Sequence, residues 1–232
     1  TAGIIGIGVV ASWSRGGWLG AMAGVGVVVF FRNRKTLLVM AGLAVVLLGA
    51  LLLGSFSTAI VPSPIAERVQ DLPQYVGGGD VLQQPVTDDN FAVIERLAHW
   101  VAALRMWNQS PWIGVGPGNY AVVYPTVQMP RWDDPLGHAH NIYLNVLAES
   151  GLIGLSAFLT LWLGTAAWLI RRRRQTASNA WANAYALGLL GMLAHLTVHN
   201  IFDNLFVQGI YLHLGILLAC LESTRNEHVP AN

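Results

Sequence analysis

The sequence predicts an all-α integral membrane protein: a multi-pass helical bundle with one large extracytoplasmic loop domain. Three observations predict it. Of 232 residues, 54% are hydrophobic and 11% charged, with mean hydropathy +0.50, which is too apolar for an ordinary soluble domain. Several stretches approach the roughly 20 apolar residues that a helix needs to cross the hydrocarbon core. Between two of them lies a polar, proline-rich interval, 62–141, holding eight of the twelve acidic residues.

Taken in order, residues 1–10 ("TAGIIGIGVV") are apolar without the basic flank of a signal peptide. They read as a truncated crossing and the chain as the C-terminal part of a longer protein. Crossings follow at 17–31 (or 11–31) and 36–61, so 1–61 forms a first membrane block. After the loop, 142–221 holds three more crossings at 151–170, 180–202 and 205–221, with a cytoplasmic tail at 222–232. Basic clusters "RNRK" at 32–35 and "RRRR" at 171–174 stand at helix ends. Short loops rich in Lys and Arg stay in the cytoplasm, so both clusters fall on one side and the loop on the other. In a bacterium this is the inner membrane with the loop outside. The single cysteine, Cys220, offers neither a disulfide framework nor a cysteine metal site. A net charge of +1 gives no sign of nucleic-acid binding.

Within the loop, Phe91, Ile94, Leu97, Ala98, Val101, Leu104 and Met106 recur at helical period behind Asp/Asn capping candidates and before Pro111. They predict an amphipathic helix over 91–109. "PWIGVGPGNY" at 111–120, with three glycines and two prolines, predicts a constrained turn.

Polar groups gather at the outer ends of these elements. "GHAHNIYLNVLAESGLIGL" at 137–155 sets His140, Asn141, Asn145 and Glu149 before a long apolar run. On a helix, His140 would share a stripe with Tyr143, Leu144, Leu147, Gly151 and Gly154, and the glycines would admit a neighbouring helix closely. His138, two residues away, would point elsewhere, so a metal site is not expected. Such a cap is either an interfacial helix entrance or the polar edge of a functional cavity. Arg15 in "SRGGW" either snorkels to lipid phosphate or binds a substrate phosphate through its forked guanidinium. Arg96 either pairs with a surface glutamate or does the same. Glu95, Arg105, His99 and His138 read as solvated or supporting groups, and His195, His199 and Asp203, near the end of a crossing, as bundle hydrogen bonds or a polar relay.

"SRGGWLGAMAGVGVVVF", "ERLAHWVAALRMWNQSPWIGVGPGNY" and "HAHNIYLNVLAESGLIGL" together resemble the C-terminal half of the O-antigen ligase and polymerase superfamily, over roughly residues 12–170. The most specific element is a histidine followed by Asn, Ser or Gln, nine residues, Gly, two residues and a small residue or Tyr. His140, Asn141, Gly151 and Gly154 fit it without a gap. The resemblance implies a fold similar to the GT-C glycosyltransferases and transfer of a glycan from a polyprenyl-diphosphate carrier to a lipid, glycan or protein acceptor. It implies His140, Arg15 and Arg96 as the catalytic residues, with Arg15, Arg96, Asn141 and Ser14 binding substrate. Gly151, Gly154, Gly116 and Asn119 would be structural supports, with neither metal nor cofactor. Some members of the superfamily are regarded as small-anion transporters, a second function that a cavity lined by arginine and histidine also fits. The crossings expected at 36–61 and 151–170 have no charge within their apolar spans, which favours transfer over transport.

Overall fold

A computed structural model describes residues 2–32, 35–36, 38–42, 85–88 and 90–223. Most of the crossing expected at 36–61, the loop before residue 85 and the tail after residue 223 lie outside the described residues. The chain divides into one unit of Thr1–Val28 with Glu95–Asn232 and a second of Val29–Ile94. All candidate site residues belong to the first.

All regular structure among the described residues is helical. Helix α1 spans Ala2–Ala11 and α2 spans Arg15–Arg32. They are separate because Trp13 takes φ 52° and the Ser14 hydroxyl accepts from Gly17 N at 3.0 Å, satisfying an orphan amide of the new helix. Helix α3 runs Phe91–Gln109. In the second unit, the amides of Phe91 and Thr87 donate to Thr87 O (2.9 Å) and Asn90 Oδ1 (2.8 Å), closing the first turn of α3. A short α4 (Tyr120–Val123) continues into a 3-10 turn at Tyr124–Thr126.

Helices α5 (Ile142–Gln175) and α6 (Ala180–His199) pack against each other, and both are long and apolar enough to cross a membrane by length and composition. On α5, Ile153, Leu161 and Leu163 are exposed, which is costly in water but ordinary against lipid. Helix α7 is shorter, Ile210–Ser223, because a 3-10 turn at Leu205–Gln208 and Gly209 (φ 73°) occupy the start of the expected crossing. The basic cluster at the far end of α5 is not wholly solvated: Arg172 is buried and lies 3.7 Å from Glu222.

Two close approaches position everything else. Gly16, Gly20 and Gly24 of α2 recur every four residues, and a Cβ added to them would meet His199 Cδ2 at 3.0 Å, His195 Nδ1 at 2.9 Å and Gly191 O at 2.7 Å. Only glycine lets α2 and α6 come this near. The second approach is a break inside α5 at Gly151 (φ 62°, ψ −162°). The 110–116 turn enters that break: Val115 and Gly116 donate to the carbonyls of Ala148 and Glu149, both at 2.9 Å. In return Leu152 and Ile153 donate to Pro111 O (2.9 Å) and Trp112 O (3.1 Å). The amides and carbonyls that the helix loses are thereby satisfied.

This geometry corrects two expectations. The partner that approaches Gly151 is a loop backbone, not a helix: a Cβ there would overlap Trp112, and one at Gly114 would overlap Glu149 and Ser150. Among the described residues, Gly154 meets only its own helix: a Cβ at 154 would overlap the Cβ of Ser150.

Candidate functional site

His140 is not on a helix. Asn141 is the N-cap of α5, its Oδ1 accepting from Leu144 N at 3.0 Å, and His140 precedes it with φ 50°. Asn145 accepts from Ala139 N at 3.0 Å and Glu149 accepts from Tyr120 N at 3.0 Å. The polar stripe Asn141, Asn145, Glu149 therefore fixes backbone: it caps α5, pins the 138–140 turn and anchors α4. Asn119 Nδ2 donates to Val115 O at 3.0 Å. Gly116 (φ 102°) makes room for it, since a Cβ would stand 2.6 Å from that nitrogen. Ser14 is engaged as the cap of α2.

The turn after α6 gathers the rest. Ile142 N donates to Asn200 O at 3.1 Å, and Arg96 Nε donates to Phe202 O at 2.9 Å. Asp203 Oδ1 lies 3.5 Å from His140 Nδ1, an ion-pair separation rather than a close hydrogen bond. Gly16, next to Arg15, faces Phe202 Cβ, which a Cβ at 16 would meet at 3.3 Å. Arg15, Arg96 and His140, distant in sequence, are thus brought to one turn, 199–203. Among the described residues, Arg15 Nε and both His140 ring nitrogens are buried without a hydrogen-bond partner, polar atoms that are costly to bury unless they serve a site.

Around His140 the groups are mostly neutral or paired. Asp203 is held down to about 2, chiefly by His140 and secondarily by Asn204 N and Arg96. His99 is fully buried, stacked on Tyr124 at 4.8 Å and edge-on to His140 at 5.7 Å. Burial first, then His140 and His138, push it down to about 4, so it is neutral at pH 7. Its tautomer follows from the network: Tyr120 Oη donates to His99 O (3.1 Å) and has only lone pairs left for His99 Nδ1 (3.2 Å). The His99 proton is therefore on Nδ1. The same burial raises the phenol of Tyr120 and lifts that of Tyr124 to about 12.

The largest departure from the sequence reading concerns His138. It does not point away: its ring lies 4.5 Å from that of His140, and its Nδ1 accepts from His140 N at 3.1 Å. Burial, then His140, lower its pKa. The helical geometry that separates residues two apart does not apply, because Leu136, Gly137 and His140 all take positive φ. The sequence offers Asp203 as a bundle hydrogen bond or a member of a polar relay, and His99 as a solvated or supporting group. For Asp203 the available signal was a lone carboxylate directly after a crossing. For His99, recognition needed the tertiary stack. Arg105 does support: its Nη1 donates to Val127 O and Gln128 O at 2.9 and 3.2 Å.

Against known proteins, the model of a family described as O-antigen ligase matches residues 1–159. The match spans Arg15, Arg96 and His140 and ends before α6 and Asp203. No curated protein matches the chain.

Proposed function

This chain belongs to the O-antigen ligase family, and on that premise we propose that it is a metal-independent glycosyltransferase. It moves a glycan from a polyprenyl-diphosphate carrier to a lipid, glycan or protein acceptor at the outer face of the bacterial inner membrane. The observation that carries the reading is the convergence on the 199–203 turn. Arg96 is bonded to Phe202, Arg15 begins the helix that packs there, and His140 faces Asp203, with Arg15 Nε and both His140 nitrogens lacking a hydrogen-bond partner among the described residues.

In this reading an acceptor hydroxyl attacks the anomeric carbon of the donor sugar as the bond from that carbon to the diphosphate oxygen breaks. The bonding pair leaves with the diphosphate. Arg15 and Arg96 meet the growing negative charge, where oriented guanidinium groups do what a metal ion does elsewhere. His140 takes the acceptor's proton, and Asp203 beside Nδ1 orients the ring and stabilises the imidazolium formed. Asn141 and Ser14 hold His140 and Arg15 through the helix starts they cap. His140 and the arginine cluster 171–174 stand at opposite ends of α5, so with the cluster in the cytoplasm the site faces outward.

The test is a reconstituted assay of the full-length protein with lipid-linked oligosaccharide and candidate acceptors, in EDTA. Transfer with release of polyprenyl diphosphate supports the reading. Uptake of a small anion by proteoliposomes without any transfer would replace it.

A further inference from the structure

We propose that His138, His140 and Asp203 form a binding site for a divalent transition ion of the zinc type, and that the bound ion switches transfer off. One ligand atom from each residue lies within 4.8 Å of the other two. Two imidazoles and one carboxylate are a ligand set that suits zinc and leaves one position for water. The nitrogens also argue against magnesium or calcium, which take oxygen ligands.

The backbone builds the set. Positive φ at Leu136, Gly137 and His140 coils 136–140 so that the two imidazoles come together. His138 Nδ1 accepts from His140 N, so the proton of its neutral ring is on Nε2, and His138 binds an ion only by giving up that hydrogen bond, which lowers the affinity of the site. Both His140 nitrogens are buried without a hydrogen-bond partner among the described residues, and the group that approaches Nδ1, Asp203 at 3.5 Å, is itself one of the three ligands. Ligand atoms on one tetrahedral zinc stand about 3.4 Å apart at bond lengths of about 2.0–2.2 Å, so the three groups close inward from separations of up to 4.8 Å when an ion binds. Arg96, whose charge acts on Asp203, opposes a cation and sets the affinity below that of a structural zinc site.

The inhibitory half of the inference rests on the proposed transfer function: an ion on His140 occupies the lone pair that accepts the proton and blocks the approach of the acceptor hydroxyl. The binding half does not, so the two are measured separately on the full-length protein in nanodiscs. Binding is read with Co2+, whose visible d–d absorption reports imidazole ligation, and by its displacement with Zn2+. One saturable site is expected, weakened at least about tenfold by His138→Ala and by Asp203→Asn. No saturable absorption, or the same affinity in both variants, overturns the site.

For inhibition, transfer in EDTA is compared with transfer after Zn2+ in excess of the chelator, with Mg2+ as the control. Zn2+ alone should inhibit, and more EDTA should restore the rate. His138→Asn keeps an acceptor for His140 N but is a poor zinc ligand. The quantity read is the ratio of its rates with and without Zn2+, expected to lose at least about tenfold in sensitivity, whatever its basal rate. Co2+ binding with no loss of transfer under Zn2+ overturns the switch, and so does transfer that fails in EDTA and needs Zn2+. A protein that binds Co2+ at these residues but transfers nothing counts against the proposed function and leaves the metal site standing.

Discussion

Asp203 Oδ1 stands 3.5 Å from His140 Nδ1, although His140 precedes α5 and Asp203 follows α6. The carboxylate beside one ring nitrogen leaves the other as the acceptor for a proton. Asp203→Asn keeps the shape and removes the charge, and should lower kcat by about 10²-fold with little change in the KM for the donor. Steady-state kinetics at matched protein level check this, and an unchanged kcat would remove Asp203 from the mechanism.

Arg15→Ala, Arg96→Ala and His140→Ala should each abolish detectable transfer, since loss of one oriented electrostatic contact typically costs about 10² to 10³ in rate. Arg15→Lys should be poor as well, because an ammonium lacks the two-pronged phosphate geometry. A melt in detergent run beside the transfer assay separates chemistry from folding. Equal loss of folding in all four variants would leave these residues a structural role only.

His138→Ala should impair transfer, because the residue holds His140 in its positive-φ turn through a 3.1 Å hydrogen bond from His140 N. An asparagine side chain can accept the same bond from two residues on. His138→Asn should therefore recover transfer relative to His138→Ala, while His138→Leu should not. If asparagine performs no better than leucine, the imidazole itself is required.

Gly151→Ala and Gly114→Ala each force a Cβ into the backbone of the other segment at a position with positive φ. Each should cost about 3 kcal/mol or more, read as a large drop in melting temperature or failure to recover folded protein. Among the described residues, Gly154→Ala overlaps Ser150 Cβ and also meets Ser150 Oγ at 3.2 Å, with Val146 Cγ1 at 4.0 Å. Adding Ser150→Gly should restore much of the loss, a coupling that a double-mutant cycle measures.

Sidedness is checked with single cysteines at positions 78 and 175 in a Cys220→Ser background. An impermeant thiol reagent on intact spheroplasts should label position 78 and spare position 175. Labelling of position 175 alone would put the 171–174 cluster outside and the site on the wrong face for a lipid-linked donor.

By itself the sequence determined what depends on local periodicity and composition. The helical spacing of Phe91 to Met106, the apolar runs of α5 and α6, and the turn at 111–120 are short-range properties, written in adjacent residues. The spacing of His140, Asn141, Gly151 and Gly154 was also legible, and the sequence offered Arg15 and Arg96 as candidates. Which way side chains point was another matter. Reading 137–155 as one helix placed His138 and His140 on different faces and gave Gly151 a helix for a neighbour. Only the tertiary structure decided otherwise, because the break at Gly151 exists where the 110–116 turn supplies replacement hydrogen bonds, and the left-handed turn at His140 exists where His138 and Asn145 hold it. Asp203 became part of the site for the same reason: the glycines of α2 and the packing of α6 on α5 bring the 199–203 turn over His140. Contacts between residues so far apart in the chain leave no local period in the sequence.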